Sequence, residues 1–130
     1  MKIRLDPLDI LFSEFIRRRA MRRVHGCERC LVEKTDYKEL QCSHFWGRSR
    51  RSVRYDEDNG IGLCGACHLY LSSHPAEYTE WFRQHLGERA FDLLNSRIRI
   101  TYPKPDKKLL TLYFKAMIGK EIRNELLPVV

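Results

Sequence analysis

Two Cys-x-x-Cys pairs, Cys27-Glu28-Arg29-Cys30 and Cys64-Gly65-Ala66-Cys67, separated by 33 residues, constrain this chain more than any other feature. Two residues between cysteines form a knuckle that lets both thiolates reach one ion, and two knuckles complete a closed tetrahedral zinc site of four thiolates. One such pair would also read as a thioredoxin-like redox motif. Two matched pairs accompanied by Gly26 and Gly65 read as structural zinc. A closed site leaves no open coordination position, so its Zn2+ is expected to hold the fold and to do no chemistry. The fifth cysteine, Cys42, lies in an expected strand and reads as a buried thiol.

The reading of the cysteines as ligands rather than disulfides goes with an intracellular setting. The first residues, MKIRLDPLDILFSEF, place Asp6, Asp9 and Glu14 among apolar residues without a small-residue cleavage site, which is unlike a secretory signal. No apolar run approaches the roughly 20 residues that a bilayer span requires, so no membrane partner and a cytoplasmic location are expected. With 130 residues, 43% hydrophobic and 32% charged, the chain fits one compact folded domain, residues 1–130, and excludes a two-domain enzyme.

The formal net charge of +7 is unevenly placed. Between Arg17 and Arg54 twelve Lys and Arg face four acids, so that window carries +8 and the rest of the chain −1. Arginine outnumbers lysine there, as expected of a surface that meets phosphates, because guanidinium groups bind them bidentately. The candidate DNA-binding set is Arg17, Arg18, Arg22 and Arg23 from a first helix, with Arg48, Arg50, Arg51 and Arg54 from a later loop. The plainer reading is a solubilising basic face.

Helix and strand signals give an α+β fold class. Asp6 can cap a first helix over about 7–23, with Pro7 at its first position, Asp9 in its first turn, and Leu8, Leu11, Phe12 and Phe15 as its buried stripe. From 24 to about 95 runs the expected core. It holds a knuckle, a strand over Glu39–Ser43, a long loop over Phe45–Asp58, a short strand over Gly60–Leu63, and helices over Gly65–Ser72, Pro75–His85 and Glu88–Asn95. Phe45, Trp46, Tyr78, Trp81 and Phe82 read as packed aromatics. Arg97–Tyr102 alternates like a strand or extended linker that Pro103 and Pro105 break. A last helix over about 107–127, capped by Asp106, is expected to bury Leu109, Tyr113, Ala116 and Met117.

Between and just after the knuckles stand His44, Asn59 and His68, in the segments SHFWGR, RYDEDNG and LCGACH, followed by HPAEYTEWFRQHLG. This order of His, Asn and His interleaved with two zinc knuckles resembles the HNH endonucleases of the ββα-metal class, and the wording around it is similar to the phage NinG (Rap) recombination proteins. The resemblance covers about Cys27–Leu94. It implies a zinc-bound ββα-metal core with flanking N- and C-terminal helices. It also implies metal-dependent DNA endonuclease activity on branched recombination intermediates such as Holliday junctions, in a phage or prophage setting within a bacterial host cell.

Phosphodiester hydrolysis needs an activated water, a cation on the leaving oxygen and positive charge around the phosphate. His44 can serve as general base and His68 can hold a catalytic divalent ion, Mg2+ or Mn2+, through a neutral imidazole. Asn59 is better suited to bracing the loop than to ligation. His25 and His85 are assigned no role. Many HNH proteins carry Asp or His just before the base as a second metal ligand. Here that position is Ser43, a weak ligand, and His74 is the nearest further imidazole. A homodimer would give a junction two active sites. The alternative from another class is a non-catalytic zinc-stabilised DNA-binding protein in which both histidines are structural.

Overall fold

The computed structural model describes residues 6–100 and 104–125. Helix α1, Pro7–Val24, starts where the local chemistry sets it: the Asp6 side chain accepts from the Leu8 N–H at 2.9 Å, and the Asp6 N–H donates to Asp9 at 3.2 Å. Its last turn carries Arg22 and Arg23, suited to the negative end of the helix dipole, and His25 closes it in a left-handed conformation, φ 57°.

A two-stranded antiparallel sheet follows, β1 Gln41–His44 and β2 Gly60–Leu63, with Gln41 opposite Leu63 and His44 opposite Gly60. The expected strand over Glu39–Ser43 is therefore shifted toward the C-terminus. Tyr37–Glu39 forms a 3-10 turn because Asp36 captures the Lys38 N–H at 2.9 Å, which takes Glu39 out of the ladder. The long loop between the strands is not structureless, since Arg51–Val53 and Glu57–Asn59 are also 3-10 turns. Helices α2 Gly65–Ser73, α3 Pro75–Leu86 and α4 Glu88–Arg97 come next, then α5 Lys107–Glu125. The fold is thus α+β with a small antiparallel sheet.

Two expectations near the C-terminus are corrected. Arg97 belongs to α4 and residues 98–100 turn, because the Arg97 guanidinium is drawn back to Asp56 at 2.6 Å and to Asp58 at 3.2 Å. Tyr102 and Pro103 lie outside the described residues, as does the expected end of the last helix at Leu127. In α5 the buried face is offset from the one expected: Phe114, Ile118 and Glu121 point inward with Leu110 and Met117 beside them, while Leu109, Tyr113 and Ala116 are exposed.

Two apolar cores hold these elements. In the first, Leu8, Phe12, Phe15 and Ile16 of α1 pack against Phe114 and Ile118 of α5, with Phe12 and Phe114 edge to face at 5.4 Å. The second lies on the other side of the sheet, where Phe45 stacks on Phe82 at 4.3 Å and meets Tyr78 and Phe91 edge on. Helix α1 reaches the sheet through a gap that only glycine leaves. A Cβ on Gly62 would stand 2.5 Å from the Ala20 Cβ, so any side chain there would push α1 off β2. Among the described residues, no helix is long and apolar enough to cross a membrane.

Candidate functional site

The four paired cysteines converge. The sulfurs of Cys27, Cys30, Cys64 and Cys67 all lie within 4.8 Å of one another, and Cys30 and Cys64 are 3.8 Å apart. Four sulfurs at about 2.3 Å from a tetrahedral Zn2+ would be separated by about 3.8 Å, so the cluster has the size of a zinc site. Backbone geometry brings the sulfurs together. The Leu31 N–H bonds the Cys27 carbonyl at 2.9 Å, the Cys27 N–H bonds the Val32 carbonyl at 3.1 Å, and Leu31 adopts φ 64°, a left-handed conformation costly for a leucine. Gly26 is required here, since a Cβ would fall 1.9 Å from the Val32 oxygen. At the second knuckle Cys64 caps α2, its sulfur accepting from the Cys67 N–H at 3.4 Å.

The electrostatics of the cluster suit a cation. Burial opposes ionisation of Cys27, yet the backbone N–H groups of Cys64, Cys30 and Arg29 bring its thiol down to about 7. Burial and the neighbouring thiols push Cys67 up to about 12, although Arg29 donates to its sulfur at 3.5 Å. Four thiolates this close repel one another unless a cation sits among them, so the donor set and its size fit Zn2+.

His44 ends β1 and faces α1. Its ring stacks on Phe12 at 5.3 Å, and its Nε2 is buried without a hydrogen-bond partner. Burial pushes its pKa down to about 4. Asp9 opposes that shift, while Arg48, Arg54 and His68 add to it. Asn59, fully buried, closes the loop that follows: its Oδ1 accepts from the Trp46 N–H at 2.8 Å and its Nδ2 donates to the Trp46 carbonyl at 2.9 Å. His68, in the first turn of α2, is tied through Nδ1 to Gln41 Oε1 at 2.7 Å, and partial burial lowers its pKa. Gln41 thereby fastens His68 to the strand whose last residue is His44.

Neither further metal candidate is brought to His68. The Ser43 hydroxyl is buried on the opposite face of β1 from His44 and is engaged with the Tyr78 hydroxyl at 2.6 Å. His74 stacks on Tyr70 at 4.1 Å and bonds the Tyr70 carbonyl through Nδ1 at 2.8 Å. His74 stands just past the end of α2, six positions after His68, which at about 1.5 Å per residue is about 9 Å along the helix axis. Of the residues expected to hold a catalytic ion, Ser43 and His74 are thus engaged elsewhere, and His68 is bound to Gln41 through Nδ1. The described residues do not form a complete divalent-cation cage around it.

The arginines divide into two kinds. Arg22 pairs with the buried Glu121 at 2.6 Å and binds α1 to α5, Arg23 approaches Glu28 at 3.5 Å, and Arg54 grips Asp9. Arg18 pairs with Glu14 and, like Arg17, lies over the Tyr37 ring. Arg50 lies over Trp46, and the exposed Arg51 next to it lines a groove with it. Part of the basic window thus holds the protein together, which the count of charges did not reveal. Sequence reasoning also missed Arg19. It is buried and donates to the Gly60 carbonyl at 2.9 Å and the Glu57 carbonyl at 3.1 Å. It further missed Asp9, Phe12 and Gln41 as neighbours of the two histidines. The local signal at Asp9, an acid in a helix first turn, speaks of capping alone.

Comparison with family models, with curated proteins and with solved structures returns no match for this chain.

Proposed function

We propose that this protein is a metal-dependent DNA endonuclease of the ββα-metal (HNH) kind, acting on branched DNA such as a Holliday junction. The observation that carries the reading is the arrangement of an antiparallel hairpin running into α2. His44 stands at the end of its first strand with an unpartnered Nε2, Asn59 closes its loop, and His68 lies in the first turn of the helix. In this reading His44 Nε2 takes a proton from water and the oxygen attacks phosphorus. The bond to the 3′ oxygen breaks, and that oxygen takes up a proton from bulk water as it leaves. A divalent ion, held by His68 with water and phosphate oxygens as its other ligands, would supply positive charge to the departing oxygen. Arg48 and Arg54, whose charges act on His44, supply positive charge to the phosphate.

Zinc in this account is structural and keeps the two knuckles, and so the hairpin and α2, in register. The setting proposed is the bacterial cytoplasm during phage or prophage recombination. A homodimer would bring two sites to one junction.

A second reading, a zinc-stabilised DNA-binding protein without catalysis, is favoured by the burial of His44, whose Nε2 is shut from water in this conformation. One experiment separates the two. Supercoiled plasmid and a four-way junction are incubated with the zinc-loaded protein and Mg2+ or Mn2+, with and without chelator. Divalent-dependent nicking or junction resolution supports the nuclease. Retarded but uncut DNA supports the binding protein.

A further inference from the structure

Helix α1 enters the candidate site through one carboxylate. Asp9 is only 5% exposed, although it lies in the first turn of a helix whose cap would be served by a solvent-facing acid just as well. Its oxygens accept from Arg54 Nε at 2.9 Å and from Arg54 Nη2 at 2.5 Å, and Arg48 Nη1 stands 3.8 Å away. These arginines stand six positions apart in the loop that follows His44, so one acid on α1 gathers both. Phe12, one turn along the same helix, stacks on the His44 ring. Asp9 and Phe12 therefore fix the arginines and the imidazole from one rigid element.

A negative charge close behind a phosphate-binding face weakens affinity by repulsion, so Asp9 works against the charge pattern of its surroundings. Its geometry offers a compensating role. The Arg54 fork uses its Nε and one Nη2 N–H on Asp9, which leaves the Nη1 edge to donate outward, and the side chain stays 28% exposed. Arg48, at 3.8 Å, is held by charge more than by a hydrogen bond and can turn to a second phosphate oxygen. We infer that Asp9 is a positioning residue, which sets the Arg54 guanidinium, and Arg48 beside it, against the phosphate that reacts at His44. This inference rests on the nuclease reading.

The test is a double-substitution cycle with Asp9→Asn and Arg54→Gln in zinc-loaded protein. Its readouts are junction affinity, the single-turnover cleavage rate at saturating protein, and thermal stability. Asp9→Asn is expected to lower the cleavage rate about tenfold while affinity stays equal or tightens, because a negative charge behind Arg54 and Arg48 has been removed. The double variant should cut no more slowly than Arg54→Gln alone, since Asp9 acts through that arginine. Multiplicative losses in the double variant, or a folded Asp9→Asn protein that cuts at the wild-type rate, would overturn the inference. So would parallel losses of rate and affinity. Should Asp9→Asn not fold, Asp9→Glu keeps cap and charge but displaces the guanidinium. A reduced rate at wild-type affinity then supports positioning, and a wild-type rate rejects it. Absence of cleavage by the wild-type protein itself overturns the proposed function, and this inference with it.

Discussion

Asn59 satisfies both backbone polar groups of Trp46, accepting from its N–H at 2.8 Å and donating to its carbonyl at 2.9 Å, across thirteen residues of loop. The carbonyl of the same asparagine accepts from the Phe45 N–H at 2.9 Å. The chain immediately after His44 is thus held by one buried side chain and its own backbone. Asn59→Ala would leave the buried backbone groups of Trp46 unpaired, at about 1–3 kcal/mol for each group that water does not reach. We expect a loss of about 2–4 kcal/mol in urea unfolding of the zinc-loaded protein, and a loss below about 0.5 kcal/mol would contradict the brace.

Zinc content gives the second prediction. The purified protein should carry one zinc per chain, and Cys27→Ser or Cys67→Ser should lose folding as well as metal, because the ion joins two knuckles in a small domain. Elemental analysis and far-UV circular dichroism read both. A zinc-free folded protein, or a disulfide among these four residues, contradicts the site.

The division of the arginines predicts different failures. Arg22→Ala breaks the pair with buried Glu121 between α1 and α5 and should lower stability, with little change in how DNA affinity varies with salt. Arg51→Ala, on the exposed loop, should leave stability unchanged and reduce the log–log salt slope by roughly 0.9 if it neutralises one phosphate. Salt titrations of junction binding by the two variants check this, and exchanged behaviour would contradict it.

His44 predicts a pH dependence. Burial brings its folded pKa to about 4, below the ordinary imidazole value near 6.5. The unfolded chain therefore binds more protons between those values. His44 contributes stability above about 6.5 that is lost as pH falls toward 4, on the order of 3 kcal/mol in all. The four-cysteine site also weakens in acid, so the measurement is the difference between wild type and His44→Gln. Wild type should lose more unfolding free energy than the variant between pH 7 and pH 5. Equal losses would contradict the burial of this ring.

The parts of this fold that were legible in the sequence are those set by nearby residues. Asp6-Pro7 fixes the start of α1, the glycine-rich Gly60–Leu63 segment forms β2, and the two knuckles announce their own convergence. Errors arose where a distant partner decided the outcome. Arg97 continues α4 because Asp56 and Asp58 hold it from about forty residues away, and the face of α5 is chosen by Phe12 and Phe15 of α1. Ser43 follows the same pattern, since only the folded chain shows Tyr78 holding its hydroxyl. The link between Asp9 and Arg54 spans 45 residues and has no local signature.

Single-turnover cleavage of a four-way DNA junction in Mn2+, by wild type and by His44→Ala at equal zinc content and equal junction affinity, bears most directly on the proposed nuclease activity. The wild-type protein should cut and stop cutting on chelation of the divalent ion. His44→Ala should be slower by about two to four orders of magnitude, the usual worth of a general base. A folded, zinc-loaded His44→Ala protein that cuts at the wild-type rate would contradict the account, as would a wild-type protein that binds the junction and leaves it intact.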